Sequence, residues 1–71
     1  MEPIFMRKKH SPLMVKIYPD TDPHFMVGEL LTVKTQETKC RHYFLRSDLN
    51  QWTAMYRRDG FFPVEDPSKT E

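Results

Sequence analysis

The stretch from Phe25 to Val64 decides the fold, because most of the aromatic residues fall in it. It reads FMVGELLTVK at 25–34, CRHYFLR at 40–46, SDLNQWTAMYRR at 47–58 and DGFFPV at 59–64. It contains the single Trp, the single Cys and four of the five Phe residues. We therefore expect any hydrophobic core of this chain to form here.

Residues 47–58 carry the clearest helix signal. Leu49, Trp52 and Tyr56 recur at a spacing that places them on one stripe of an α-helix. The pattern predicts an amphipathic helix of about three turns over Ser47–Arg58.

The two ends of this helix also carry recognisable signals. Asp48 is a favourable N-cap, and Gln51 three residues later completes the spacing of a capping box. Gly60 suits the position after the helix end, because glycine adopts the left-handed conformation there without strain. These residues predict a helix capped at both ends.

Three segments before the helix have strand character: residues 12–18, 25–34 and 40–46. The second is apolar on both faces near its middle, which favours a central position in a sheet. The order predicts a small two-layer α+β domain, in which a three-stranded antiparallel sheet packs against one C-terminal helix (βββα). Its predicted core comprises Val27, Leu31, Val33, Leu45, Leu49, Trp52 and Tyr56.

Length and charge suggest how the chain is divided. Seventy-one residues allow one domain. Residues 1–58 carry ten Lys and Arg against six acids, whereas residues 59–71 carry one Lys against four acids. We predict a flexible basic arm over residues 1–11, a single α+β domain over residues 12–64 and an acidic disordered tail over residues 65–71.

The composition argues against catalysis and against a membrane span. Two glycines leave no phosphate-cradling loop, and the carboxylates are scattered singly rather than paired. Metal ligands at zinc-site spacing are not present in the sequence. With one cysteine and no export signal, the chain is expected to be a cytoplasmic, non-enzymatic binding protein without cofactor or metal, as a monomer or weak homodimer.

Basic residues interleaved with aromatic ones favour nucleic acid as the partner. The predicted hairpin combines cations with Tyr43 and Phe44, and a basic aromatic ribbon can enter a groove or present stacking faces. We predict a regulatory protein that binds DNA through this hairpin and the N-terminal arm. The predicted nucleic-acid-binding residues are Arg7, Lys8, Lys9, Lys34, Lys39, Arg41, Arg46, Arg57 and Arg58.

A protein partner is the alternative hypothesis. Met and aromatic residues near the helix end could form an adaptable apolar patch, as in inhibitors or adaptors of the phage and prophage accessory type that dock on a larger host protein. The residues predicted for this docking surface are Met55, Tyr56, Phe61 and Phe62.

Two resemblances point in the same direction as the DNA hypothesis. The segment from Trp52 to Val64 resembles the end of the DNA-binding helices in small phage excisionases and MerR-type regulators. The predicted strands followed by a Trp-bearing helix, with Phe44-Leu45-Arg46 before it, are similar to the enterobacterial cell-division activators, which implies DNA binding by a sheet-and-helix domain.

Overall fold

The computed structural model describes residues 1–67, and these form one antiparallel sheet with a helix on one face. In chain order the elements are β1 (Ile4–Lys8), β2 (Leu13–Pro19), β3 (Phe25–Thr32), β4 (Thr38–Leu45), a 3-10 turn (Arg46–Asp48), α1 (Leu49–Arg58) and β5 (Phe61–Val64). The sheet has five strands in the order β4-β3-β2-β1-β5. The predicted α+β class with a C-terminal helix is confirmed, but the predicted three-stranded sheet is wrong.

The first additional strand is β1, which lies inside the segment predicted as a flexible basic arm. It pairs with β2 on one side and with β5 on the other. Phe5 is only 6% exposed and Met6 only 1%. The strand signal is short, because only Ile4, Phe5 and Met6 are apolar before the run of cations begins. Burial in the sheet, rather than local sequence preference, therefore orders this segment.

The second additional strand is β5, which follows the helix and contains a proline. Pro63 lies opposite Met6 on β1, and β5 is the last strand of the sheet. Proline is tolerated on an edge strand because the missing N–H can lie on the unpaired side. The predicted acidic tail begins just after β5, and its residues 68–71 lie outside the described part of the chain.

The C-terminal end of α1 agrees with the sequence prediction, whereas the N-terminal end does not. Gly60 has a φ of 102° and donates its N–H to the Arg57 carbonyl at 3.0 Å, which confirms the predicted glycine C-cap. The predicted capping box is wrong, because the Asp48 side chain makes no capping hydrogen bond. The chain enters the helix through the 3-10 turn instead.

The core divides between the two faces of the sheet. Under the helix, Met6, Val15, Ile17, Met26, Phe44, Tyr56 and Phe61 form the main buried cluster, with Leu49 and Trp52 packed against it. A smaller cluster of Phe5, Met14 and Leu31, with Val33 and Val64, lies on the other face. Among the predicted core residues Leu45 is wrong: it is 47% exposed, because it ends the edge strand β4 on the face that the helix does not cover.

A glycine lets the helix approach the sheet closely. A Cβ atom at Gly28 would lie 3.1 Å from the Tyr56 hydroxyl oxygen and 3.4 Å from Cε1 of Phe44. The Phe44 ring in turn stacks on Trp52 with centroids 4.8 Å apart. Because Gly28 has no side chain, the Tyr56 ring fits above the centre of β3.

Candidate nucleic-acid interface

Antiparallel pairing gathers several chain segments at one end of the sheet. β1 and β3 end there, β2, β4 and β5 begin there, and α1 ends there before β5. We call this edge of the domain the basic end. Its cations are Arg7, Lys8, Lys9, Lys34, Lys39, Arg57 and Arg58, which come from segments far apart in sequence.

At the basic end, a groove lies between the β1–β2 loop and the β3–β4 loop. Arg7 and Lys34 both line it, together with Pro12 and Val33, and its volume is about 540 Å³. The N–H of Val33 donates to the carbonyl of Pro12 at 2.8 Å, which ties the two loops together. The cations of these loops are therefore held side by side by backbone contacts and not only by sequence proximity.

Lys8 connects the helix end to the same surface. Its Cε lies 3.4 Å from where a Cβ of Gly60 would be, so the Lys8 stem runs alongside the turn after α1. Its ammonium lies 5.8 Å from the centroid of the Phe61 ring. Arg57 and Arg58 occupy the last turn of the helix, next to this contact.

Few carboxylates offset these charges. Among the described residues only Glu37 and Asp59 share the basic end, and the ion pair of Lys39 with Glu37 is 3.9 Å long and exposed. An exposed pair of this kind is weak and is screened by salt. The basic end therefore keeps a positive excess available to a ligand.

The opposite end of the sheet is acidic. The β2–β3 loop, the start of the helix and the segments that flank β1 and β5 meet there. The described acids of this end are Glu2, Asp20, Asp22, Asp48, Glu65 and Asp66. Arg46, a predicted DNA-binding residue, lies at this end, where its N–H donates to the His24 carbonyl at 2.9 Å. The fold separates Arg46 from the cations with which it was grouped.

Arg41 lies between the two ends, on the face that the helix does not cover. Its guanidinium is 3.5 Å from Glu29, whose carboxylate also accepts hydrogen bonds from the hydroxyls of Tyr18 and Thr38. Burial favours a raised pKa for the Glu29 carboxyl, but these two hydrogen bonds and the Arg41 charge outweigh burial, so the pKa is lowered. Burial, and then the bond to Glu29, raise the pKa of Tyr18.

The residues predicted for protein docking do not form one surface. Tyr56 and Phe61 are buried together in the main core, with ring centroids 5.9 Å apart. Phe62 is 48% exposed but lies on the other face of the sheet, since side chains alternate along a strand. Met55 is 38% exposed on the helix.

Sequence reasoning missed Lys16 and Tyr18. These side chains lie on the uncovered face of β2, where the Lys16 ammonium is 5.1 Å from the centroid of the Tyr18 ring. The alternation of side chains along β2 could have identified both residues. Val15 and Ile17 point to the helix, so the alternate positions Lys16 and Tyr18 must point to the other face.

Residues 1–67 offer neither a metal site nor a membrane-spanning helix. That part of the chain contains no group of three or more His, Cys, Asp or Glu residues placed to hold a metal ion. Cys40 and His42 do approach each other, with 3.7 Å between Sγ and Nε2, on the exposed strand β4. The described helix is too short and too polar to cross a membrane.

Comparison with known proteins adds no family to this description. No protein-family model, no curated protein and no solved structure matched the chain.

Proposed function

We propose that this protein is a small non-enzymatic regulator that binds DNA through the basic end of its sheet. The observation that supports the proposal is the register, which brings the β1–β2 loop, the β3–β4 loop and the end of α1 to one edge of the domain. Seven of the nine cations predicted from sequence lie at this end. Arg41 and Arg46 are left out of the proposed interface.

The dimensions of the basic end suit a duplex. Five strands span four interstrand spacings, which amounts to about 19 Å at roughly 4.8 Å each. The DNA major groove is about 12 Å wide. Cations at the two sides of the basic end can therefore contact phosphates on both sides of a groove. Phosphate contacts release counterions, so the affinity should fall steeply as salt rises.

The test measures fluorescence anisotropy of a labelled duplex between low and physiological salt. We expect the double variant Arg57→Ala/Arg58→Ala to bind more weakly on every sequence tested. The slope of log K against log salt should decrease by about one for each phosphate that the variant no longer neutralises. Because both arginines are exposed at the helix end, the fold should survive their removal.

Arg46→Ala is the matched control, because Arg46 is also an exposed arginine but lies at the acidic end. It should bind duplex DNA within about twofold of the wild type. If Arg46→Ala lost as much affinity in log K per charge removed as the double variant, net charge alone would explain binding, and the proposed interface would be refuted. A wild-type protein that fails to bind DNA at low salt but captures one host protein would favour the docking alternative instead.

A further inference from the structure

The face of the sheet opposite the helix presents aromatic and cationic side chains in register. Across the strands, Phe5, Lys16, Glu29 and Arg41 form one row, because each lies opposite the next in the pairing. The next row runs from Tyr18 through Val27 to Tyr43. We call this surface the uncovered face. Phe5 and Val27 are buried within it, whereas the Tyr43 ring is exposed to solvent.

Tyr43 is the most exposed aromatic ring of the described chain, at 58%, and the core does not use it. Tyr18 lies two strands away, at about 10 Å from the interstrand spacing, and is half-buried. Phe62, at 48% exposed, lies beside Arg7 near the basic end of the same face. Exposed rings on a sheet surface are suited to stacking with unpaired bases.

Cations lie beside these rings. The Lys16 ammonium is 5.8 Å from the Phe5 ring centroid and 5.1 Å from that of Tyr18. The Arg41 guanidinium is charged at any physiological pH, and its interaction with Tyr43, followed by the charge of Glu29, raises its pKa further. Glu29 lies between Lys16 and Arg41 and compensates one of the two charges. The four residues of the row carry one net positive charge, and Asp66 lines a cavity beside Lys16 and Phe5.

We infer that the uncovered face binds single-stranded nucleic acid, with Tyr43 and Tyr18 stacking on bases and Lys16 and Arg41 contacting phosphates. Bases in a duplex are stacked on one another and cannot reach these rings, so this face selects unpaired strands. Arg7 lies on the same face at the basic end, separated from Lys16 by the buried apolar cluster of Phe5, Met14 and Leu31. The inference deepens the proposed function, on which it rests for nucleic acid as the partner, by naming the strand form that this face prefers.

The test compares two fluorescently labelled probes at one salt concentration. One is an oligothymidine of about 15 nucleotides, near the upper site size of small single-strand-binding domains, and the other is its duplex with oligoadenosine. We expect the single strand to bind at least about tenfold more tightly, as expected for a face that stacks on unpaired bases. Tyr43→Ala should weaken single-strand binding by roughly fivefold to a hundredfold, and Tyr43→Phe, which keeps the ring, should bind like the wild type. Duplex binding should be unchanged in both.

Met55→Ala is the control, because Met55 is an exposed apolar residue on the helix side. It should leave both affinities unchanged, and circular dichroism should show that all variants fold. Equal affinity for the two probes, or Tyr43→Ala binding the single strand like the wild type, would overturn the inference. In that case, if Arg57→Ala/Arg58→Ala still binds the duplex more weakly than the wild type does, the proposed function is retained. If neither probe binds, both ideas fail and a protein partner becomes the explanation for the exposed rings.

Discussion

Replacing Met6 by alanine tests whether the N-terminal segment is a strand of the sheet or a mobile extension. Met6 is 1% exposed and lies between Val15 on β2 and Pro63 on β5. Truncating a buried methionine costs about 2–5 kcal/mol, from reduced burial and from the cavity left behind. Paired strands on both sides limit how far the surroundings can collapse. We therefore expect a loss of about 3 kcal/mol, near the middle of that range.

Such a loss is large for a domain of this size. A chain of 71 residues has a free energy of unfolding of about 4–10 kcal/mol in total. In a domain of roughly 60–100 residues each kcal/mol shifts the Tm by about 4–8 °C, so Met6→Ala should lower the Tm by about 12–24 °C. A mobile N-terminal segment would give almost no change.

The assay is urea and thermal unfolding, followed by circular dichroism and by the fluorescence of Trp52. Met55→Ala is the control, because Met55 is 38% exposed on the helix and its replacement should change stability by at most about 0.5 kcal/mol. If Met6→Ala unfolds within about 0.5 kcal/mol of the wild type, the placement of β1 inside the sheet is wrong, and the arrangement of the basic end with it.

Three further predictions concern residues near the helix and on the uncovered face. Gly28→Ala should cost about 1–3 kcal/mol by overpacking against the Tyr56 hydroxyl, and Tyr56→Phe should recover part of the loss in a double-mutant cycle of urea unfolding; full additivity would refute the contact. Gly60→Ala should cost about 1–2 kcal/mol, because φ there is 102° and an L side chain is strained in that region, with no change in spectral shape; an equally stable variant would contradict the cap. Since the folded pKa of Glu29 is lowered from 4.5, its contribution is present above that pH and is lost as pH falls through the folded value. Glu29→Gln should therefore be less stable at neutral pH and show a flatter acid dependence in unfolding experiments; an unchanged dependence would exclude Glu29 as its source.

The sequence predicted the part of the fold that local pattern controls. The stripe of Leu49, Trp52 and Tyr56 appears in the structure as the face of α1 that packs on the sheet. The glycine after the helix has the expected positive φ. Both features depend on residues within one or two helical turns of each other, so a single sequence contains the information they need.

The two missed strands depend on contacts between distant segments. Ile4–Lys8 has too few apolar residues for a strand signal, and Pro63 argues against pairing unless its strand lies at an edge. Each becomes a strand because it completes the other: β1 supplies the edge that β5 joins. Neither segment alone carries this information, which explains why a smaller sheet was predicted.

The sequence predicted most of the residues of the candidate site, but not how the fold arranges them. The cations of the basic end were named from sequence, yet only the pairing register shows that Arg7 and Lys34 line one groove while Arg46 lies at the other end. Lys16 is a single cation within an apolar strand, so no cluster of charges in the sequence marks it. Which charges share a surface depends on topology, and topology required the two strands that were missed.

The pairing of β1 with β5 also has a practical consequence for engineering. Phe5 lies opposite Val64, and Pro3 and Asp66 line the same cavity, so the chain passes the same corner of the domain near both of its described ends. A short linker there could join residues 3 and 66, and new termini could be opened in the turn at His10. Such a circular permutant would keep every strand pair while placing β1 after β5 in synthesis, so that this strand would be the last to be made.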